Sequence, residues 1–181
     1  MSGAVYTVES GLAPGWEEEF LRWQAEEHIP LLLGLPGYRA VTRFRSDMIP
    51  RRFLNLWEVD STERFRAASH DAAVNTPWKA RIVPAREVLE VRFYAVVQDL
   101  SGPAHGRAPA VLLRHRWTTR ETTADRAARI ASHPGTSRVL LLAEEAAGGS
   151  TLLHLATEAP PHPQEDGAVT DCFTALPMEE R

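Results

Sequence analysis

Hydrophobic and polar positions alternate along this chain with two different periods. Residues 4–8 alternate as a short strand, and residues 15–33 repeat with a helical period. At about 100° per residue, Trp16, Phe20, Trp23 and Leu31 fall on one arc of that helix, with Glu27 near its middle and His28 on its flank. Pro14-Gly15 and three glutamates open the helix and suit the positive end of its dipole. Pro30 is expected to kink it or end its regular part, and Leu35-Pro36-Gly37 closes it. Residues 38–45 read as a strand, 47–51 as a loop and 53–59 as the next strand. A second helix over residues 62–74, weakly capped by Ser61, turns Phe65, Ala68 and Ala72 inward, and Asn75-Thr76-Pro77 stops it. Residues 87–97 form a long last strand, so the first half reads β-α-β-β-α-β.

Residues 98–109 are rich in Gly, Pro and Ser and read as a linker. After it come a strand at 110–117, a helix at 123–132, a strand at 137–144 and a hairpin partner at 151–157 across a turn at 146–150. His133-Pro134-Gly135 lies 98 positions after Leu35-Pro36-Gly37, and the strands that begin at Leu54 and Leu152 share that offset. Where the first half has its second helix, residues 159–167 are too rich in proline to be helical, so the repeat is degenerate there. Residues 169–176 make the last strand and 178–181 a frayed tail. This order predicts an α+β protein of two tandem ferredoxin-like units, 1–97 and 110–181, packed sheet to sheet as an intramolecular α+β barrel.

With 181 residues and 44% hydrophobic content, the chain is expected to be soluble and globular. A net charge of −4 with scattered arginines gives no reason to expect nucleic acid. Cys172 is the single cysteine, no leader-like segment opens the chain, and no apolar run reaches membrane-span length, so a cytoplasmic protein off the membrane is expected. Abundant Ala and Arg with few Lys suggest a GC-rich bacterial source. Dinucleotide, P-loop, α/β-hydrolase and zincin motifs are absent.

The chemistry-bearing candidates start with Glu27 and His28. A carboxylate raised by burial beside an imidazole is suited to general acid–base work, whereas helix-end packing with Glu27 paired to a sheet arginine is the structural alternative. As helix neighbours the two side chains do not face each other. On 38–45, alternation sets Tyr38, Ala40, Thr42 and Phe44 against Arg39, Val41, Arg43 and Arg45. Arg43, Asn55, Arg92 and Tyr94 either line a polar barrel interior that binds an oxygenated or anionic ligand, or belong to a solvated face or an ion-pair lattice between sheets. His70 is expected to face solvent, and Trp57 and Trp78 are core or interface aromatics, with Trp78 a possible pocket lid. His115 and His154 lack a third ligand, so no metal is expected.

The segment from Trp23 to Tyr38, with its Glu-Glu-His-Ile-Pro core and Leu-Pro-Gly-Tyr end, resembles the first-helix motif of the dimeric α+β barrel superfamily, EthD-like proteins in particular. Asn75-Thr76-Pro77-Trp78 is similar to a recurring segment of their bacterial relatives, and the likeness covers residues 1–97. The superfamily includes cofactor-independent monooxygenases, lactone isomerases, polyketide cyclases and haem enzymes, so the resemblance implies fold more than activity. The second unit has no matching Glu-Glu-His, so one motif-based site per chain is expected. The resulting expectation is a cofactor-independent cyclase, isomerase or lyase acting on an aromatic or polyketide-like metabolite. Glu27 or His28 would be the base, and Trp23, Tyr38, Arg43, Asn55, Trp78, Arg92 and Tyr94 would contact substrate. A cofactor-free monooxygenase and a non-catalytic ligand-binding or assembly protein are the alternatives. The assembly would be a monomeric pseudo-dimer or a homodimer.

Overall fold

The first strand outruns its clear alternation. In the computed structural model, which describes residues 4–103, 108–117, 123–144, 150–158 and 169–176, β1 spans Ala4–Leu12. It is followed by α1 (Glu17–Trp23), a π-helical turn (Gln24–His28) and α2 (Ile29–Leu33), then β2 (Tyr38–Ser46) and β3 (Arg52–Val59). Next come α3 (Glu63–Arg66), α4 (Ala68–Val74), α5 (Pro77–Ile82) and β4 (Arg86–Ser101). The remaining elements are β5 (Val111–Trp117), α6 (Thr123–Ala131), β6 (Thr136–Glu144), β7 (Ser150–Ala156) and β8 (Val169–Ala175). The hydrogen-bonded strand order is β1-β3-β2-β8-β5-β7-β6-β4, a closed antiparallel barrel in an α+β chain. Contacts divide the chain into one unit of Met1–Arg43 and Ile49–Phe93 and another of Phe44–Met48 and Tyr94–Leu176.

In the first unit, β1 runs antiparallel to β3 with Tyr6 opposite Trp57 and Val8 opposite Asn55. Side chains alternate along a strand, so Tyr6, Val8, Phe53, Asn55 and Trp57 share one face. Helices cover that face. The Phe20 ring lies 5.4 Å from Phe53, and Ile29, Leu32 and Val74 join Tyr6, Tyr38 and Trp57 in one core. Val91 and Phe93 of β4 pack against the same core. Gly37 closes the helix with φ of 88°, a conformation that favours glycine, and a Cβ there would run into the Arg64 side chain. Gly37→Ala is therefore expected to cost at least about 1–2 kcal/mol in chemical denaturation.

The second helix is broken where a single one is expected: Ala67 adopts an extended conformation (ψ of 143°) between α3 and α4. Asn75-Thr76-Pro77 does end α4, but it also starts α5, because the Thr76 side chain accepts from the Lys79 N–H at 3.1 Å and Pro77 has no N–H that needs an acceptor. β4 continues through Ser101, four residues beyond Val97, so the first part of the expected linker is strand.

In the second unit, β8, β5, β7 and β6 are successive neighbours, and α6 covers Val139, Leu141 and Leu152. Three backbone hydrogen bonds recur in both halves. Leu35 to Leu32 is matched by His133 to Ile130, Tyr38 to Leu35 by Thr136 to His133, and Asp60 to Gly37 by Thr157 to Gly135. The last match aligns β7 with β3 one residue away from the offset that the sequence suggests. A one-residue shift exchanges the two faces of a strand, so His154, not Leu155, occupies the position of Trp57. The expected turn at 146–150 mostly, and the stretch at 159–167 and the tail at 178–181 entirely, lie outside the described residues. Among the described residues, no helix is long and apolar enough to cross a membrane.

Candidate functional site

The motif Gln24-Ala25-Glu26-Glu27-His28 is not α-helical. Ile29 donates its N–H to the carbonyl of Gln24, five residues back, and Pro30 has no N–H to continue an α-helical ladder. The extra residue in this turn rotates everything after it by about 100° about the helix axis. That rotation corrects the helical arc. Phe20 and Trp23 are buried as expected, but Leu31 is 39% exposed, and Ile29 and Leu32 are buried in its place. His28 thus moves toward the sheet, where unbroken periodicity would have aimed Glu27.

The His28 ring stacks on Trp23, five residues earlier, with centroids 4.5 Å apart and planes at 23°. It meets Trp57 edge-on at 6.2 Å. Its Nδ1 is shut off from solvent and has no hydrogen-bond partner. Burial holds the His28 pKa down to about 3, and Lys79, His70 and Arg86 push the same way, so the imidazole is neutral. Glu27 is turned sideways. Its Oε1 accepts from Trp23 Nε1 at 3.1 Å and from the Thr76 hydroxyl, so its partners are an indole and a hydroxyl rather than a sheet arginine. Thr76 therefore ties the start of α5 to the π-helical turn. Thr76→Val is expected to lower stability by about 1–3 kcal/mol through the lost cap and the unsatisfied carboxylate, read as a shifted urea midpoint at constant slope.

Aromatic and imidazole rings surround this point. Tyr6 stacks on Trp57 at 6.0 Å, and Tyr38 meets Trp57 edge-on at 5.7 Å. The Tyr6 and Tyr38 hydroxyls are near enough to influence each other, and burial raises both pKa values above the ordinary tyrosine range. His70, expected at the surface, is 6% exposed. It stacks on Tyr38 at 6.3 Å and lies 4.5 Å from the Phe65 ring, because the break at Ala67 lets α4 set its own direction. Burial lowers the His70 pKa, and Asp71, 3.5 Å from its Nδ1, opposes that shift.

Trp23, Glu27 and His28 are in contact with one another, and Tyr38 reaches them through Trp57, with Tyr6, Phe65, His70 and Thr76 around them. Asn55 shares the helix-facing side of β3 with Trp57, and its Oδ1 is buried without a hydrogen-bond partner. It therefore does not share a face with Arg92 and Tyr94. On β4, Val91 and Phe93 face the core, so Arg92 and Tyr94 take the other side, with Arg92 ion-paired to Glu90. Arg43 is buried on β2. Strict alternation fails on that strand, since Tyr38 and Val41 pack against one core. Trp78 rests on α1, donating to Glu19 at 2.9 Å beneath the Arg22 guanidinium.

In the second unit, His115 and His154 are diagonal neighbours on one sheet face. His115 Nδ1 lies 3.0 Å from the Thr170 hydroxyl and His154 Nε2 lies 2.9 Å from that of Thr136. Among the described residues, no group of three or more His, Cys, Asp or Glu could hold a metal ion. Burial lowers His154 to about 4. Above pH 6.5 His28 and His154 are neutral in both folded and unfolded chains; as pH falls from about 6.5 toward 4 and 3, only the unfolded chain takes up these protons. Stability is thus expected to decline over that window. In a set of urea melts from pH 7.5 to 4, His154→Gln should flatten part of the decline.

No family model and no curated protein matches the sequence significantly. Solved structures do. A candidate monooxygenase of Fusobacterium nucleatum is similar over 97% of this chain and 93% of its own, with a TM-score of 0.67 at 9% identity. An anthrone oxidase-like protein matches 99% of this chain and 94% of its own, with a TM-score of 0.61 at 10% identity. A candidate monooxygenase of Lactobacillus acidophilus matches over 97% and 94%, with a TM-score of 0.62 at 10% identity. At such identities the likeness is one of fold alone.

Proposed function

We propose that the first unit is a cofactor-independent enzyme for a small aromatic or polyketide-like molecule, a cyclase, isomerase or lyase that works by proton transfer at His28. The observation that carries this reading is the neutral imidazole whose buried Nδ1 has no protein partner, held between Trp23 and Trp57. A buried polar atom without a protein partner leaves a hydrogen bond for something else to supply. Trp23 and Tyr38 give apolar walls, Asn55 offers a second buried polar atom, and Glu27 positions the turn through Trp23 and Thr76. On this reading the chain comprises two tandem ferredoxin-like units, an EthD-like one at 1–97 and a degenerate one at 110–181, joined by 98–109. It is a cytoplasmic bacterial protein, either a monomeric pseudo-dimer or a homodimer.

A second reading, a cofactor-free monooxygenase, draws support from the names of the structural neighbours. The same base would then generate a carbanion that itself reduces dioxygen. Native mass spectrometry of the protein from its own host, followed by identification of the released compound, tests both. Turnover of that compound without oxygen uptake supports proton transfer, and stoichiometric oxygen uptake supports the second reading. Undiminished turnover by a folded Glu27→Gln/His28→Ala variant would end both, and a compound bound without turnover would make the protein a non-catalytic binder.

A further inference from the structure

The charged groups that act on His28 are Lys79, His70 and Arg86, all cationic when protonated. Each comes from a different element. Lys79 is in the first turn of α5, which the Thr76 cap and the Thr76 to Glu27 hydrogen bond fix against the π-helical turn. Arg86 opens β4 directly after the 3-10 turn Val83–Ala85, which is tied to β1 by the 2.8 Å bond from the Ala13 N–H to the Ala85 carbonyl. Its Nε is buried and has no hydrogen-bond partner. Burial lowers its pKa. Lys79 feels Arg86 as a like charge, and Asp71 compensates only in part. Asp71 itself is engaged with His70, and Glu27 with Trp23 and Thr76. Tyr6 and Tyr38 are neutral, and Arg64, which acts on Tyr38, is a further cation nearby. Two fixed cations therefore stand beside a neutral imidazole with an unsatisfied guanidinium donor between helix and sheet. Holding like charges together in partial burial is costly unless an anion completes the arrangement.

We propose that Lys79 and Arg86 form an anion subsite beside His28 that takes the carboxylate of a small organic acid. This rests on the His28 site described above and adds the charge of its ligand. The carboxylate would accept from Arg86 Nε–H and from the Lys79 ammonium. Burial is the largest cause of the low His28 basicity, and a bound anion would offset the smaller part that the two cations add.

The test uses the intact protein, with benzoate and its uncharged analogue benzyl alcohol as probes and the His28 ring resonances as readout. Benzoate is expected to shift the His28 signals saturably and to raise its titration midpoint. Benzyl alcohol is expected to bind about tenfold or more weakly, and Lys79→Gln or Arg86→Gln to weaken benzoate about tenfold each, as loss of a charge-assisted hydrogen bond would. Arg86→Lys keeps the charge and is expected to retain part of the affinity, which separates the effect from misfolding. If both probes perturb His28 equally and the variants change nothing, the anion subsite is wrong while the aromatic site stands. If neither probe moves His28, both readings fail.

Discussion

Replacing His28 with phenylalanine is expected to lower turnover by a factor of about 10² to 10⁴, the usual contribution of a positioned general base. Phenylalanine keeps a ring for the stack on Trp23 and the edge contact with Trp57, so the variant should fold and bind with little change in KM. Glu27→Gln should cost much less, because the amide oxygen still accepts from the indole and the hydroxyl. The acid side of the kcat/KM profile gives an independent reading. With the free-protein His28 at about 3, lowering the pH from 8 to 5 should not protonate it, and the profile should lack the inflection near 6.5 that an ordinary histidine base gives. A profile that falls through 6.5, and keeps doing so in His70→Gln, would place the ionisation elsewhere.

Trp57→Ala is expected to have the largest effect on stability, about 3–5 kcal/mol, as for other large aromatic residues truncated in a core. Trp57 is fully buried and touches Tyr6, Tyr38 and His28, so its removal opens a cavity shared by both sheet strands and the π-helical turn. Trp78→Ala serves as the contrast. Trp78 is half-buried and held by one hydrogen bond and one cation contact on the outside of α1, so its loss should cost about 1 kcal/mol. Equal losses for the two variants in urea denaturation would contradict the placement of the core.

Much of this arrangement is visible in the residues themselves. The alternation around Tyr6 and Trp57, the apolar positions Phe20 and Trp23 and the Leu-Pro-Gly close locate the strands and the first helix, since each signal is local. The π-helical turn is not visible, because it is a change of hydrogen-bond register that Pro30 permits but side-chain periodicity does not record. That one residue exchanges the roles of Glu27 and His28. Asn55 and Arg92 read in the sequence as lining one polar interior, and only the register of β3 on β1 and the packing of Phe93 place them on different sides. His70 reads as a surface residue until the break at Ala67 is known. Lys79 carries no motif, and its place against the π-helical turn follows from the Thr76 cap, whose residues the sequence reads only as a stop. The one-residue offset that puts His154 in the position of Trp57 is likewise set by backbone pairing.

A small molecule is expected to bind at His28. The most direct test is histidine-labelled NMR of the whole protein titrated with 1-naphthol, an aromatic probe without a carboxylate. Saturable shifts at His28 and His70, with His115 and His154 unmoved, are the predicted result. No saturable shift at His28, or equal shifts at all four histidines, would contradict it.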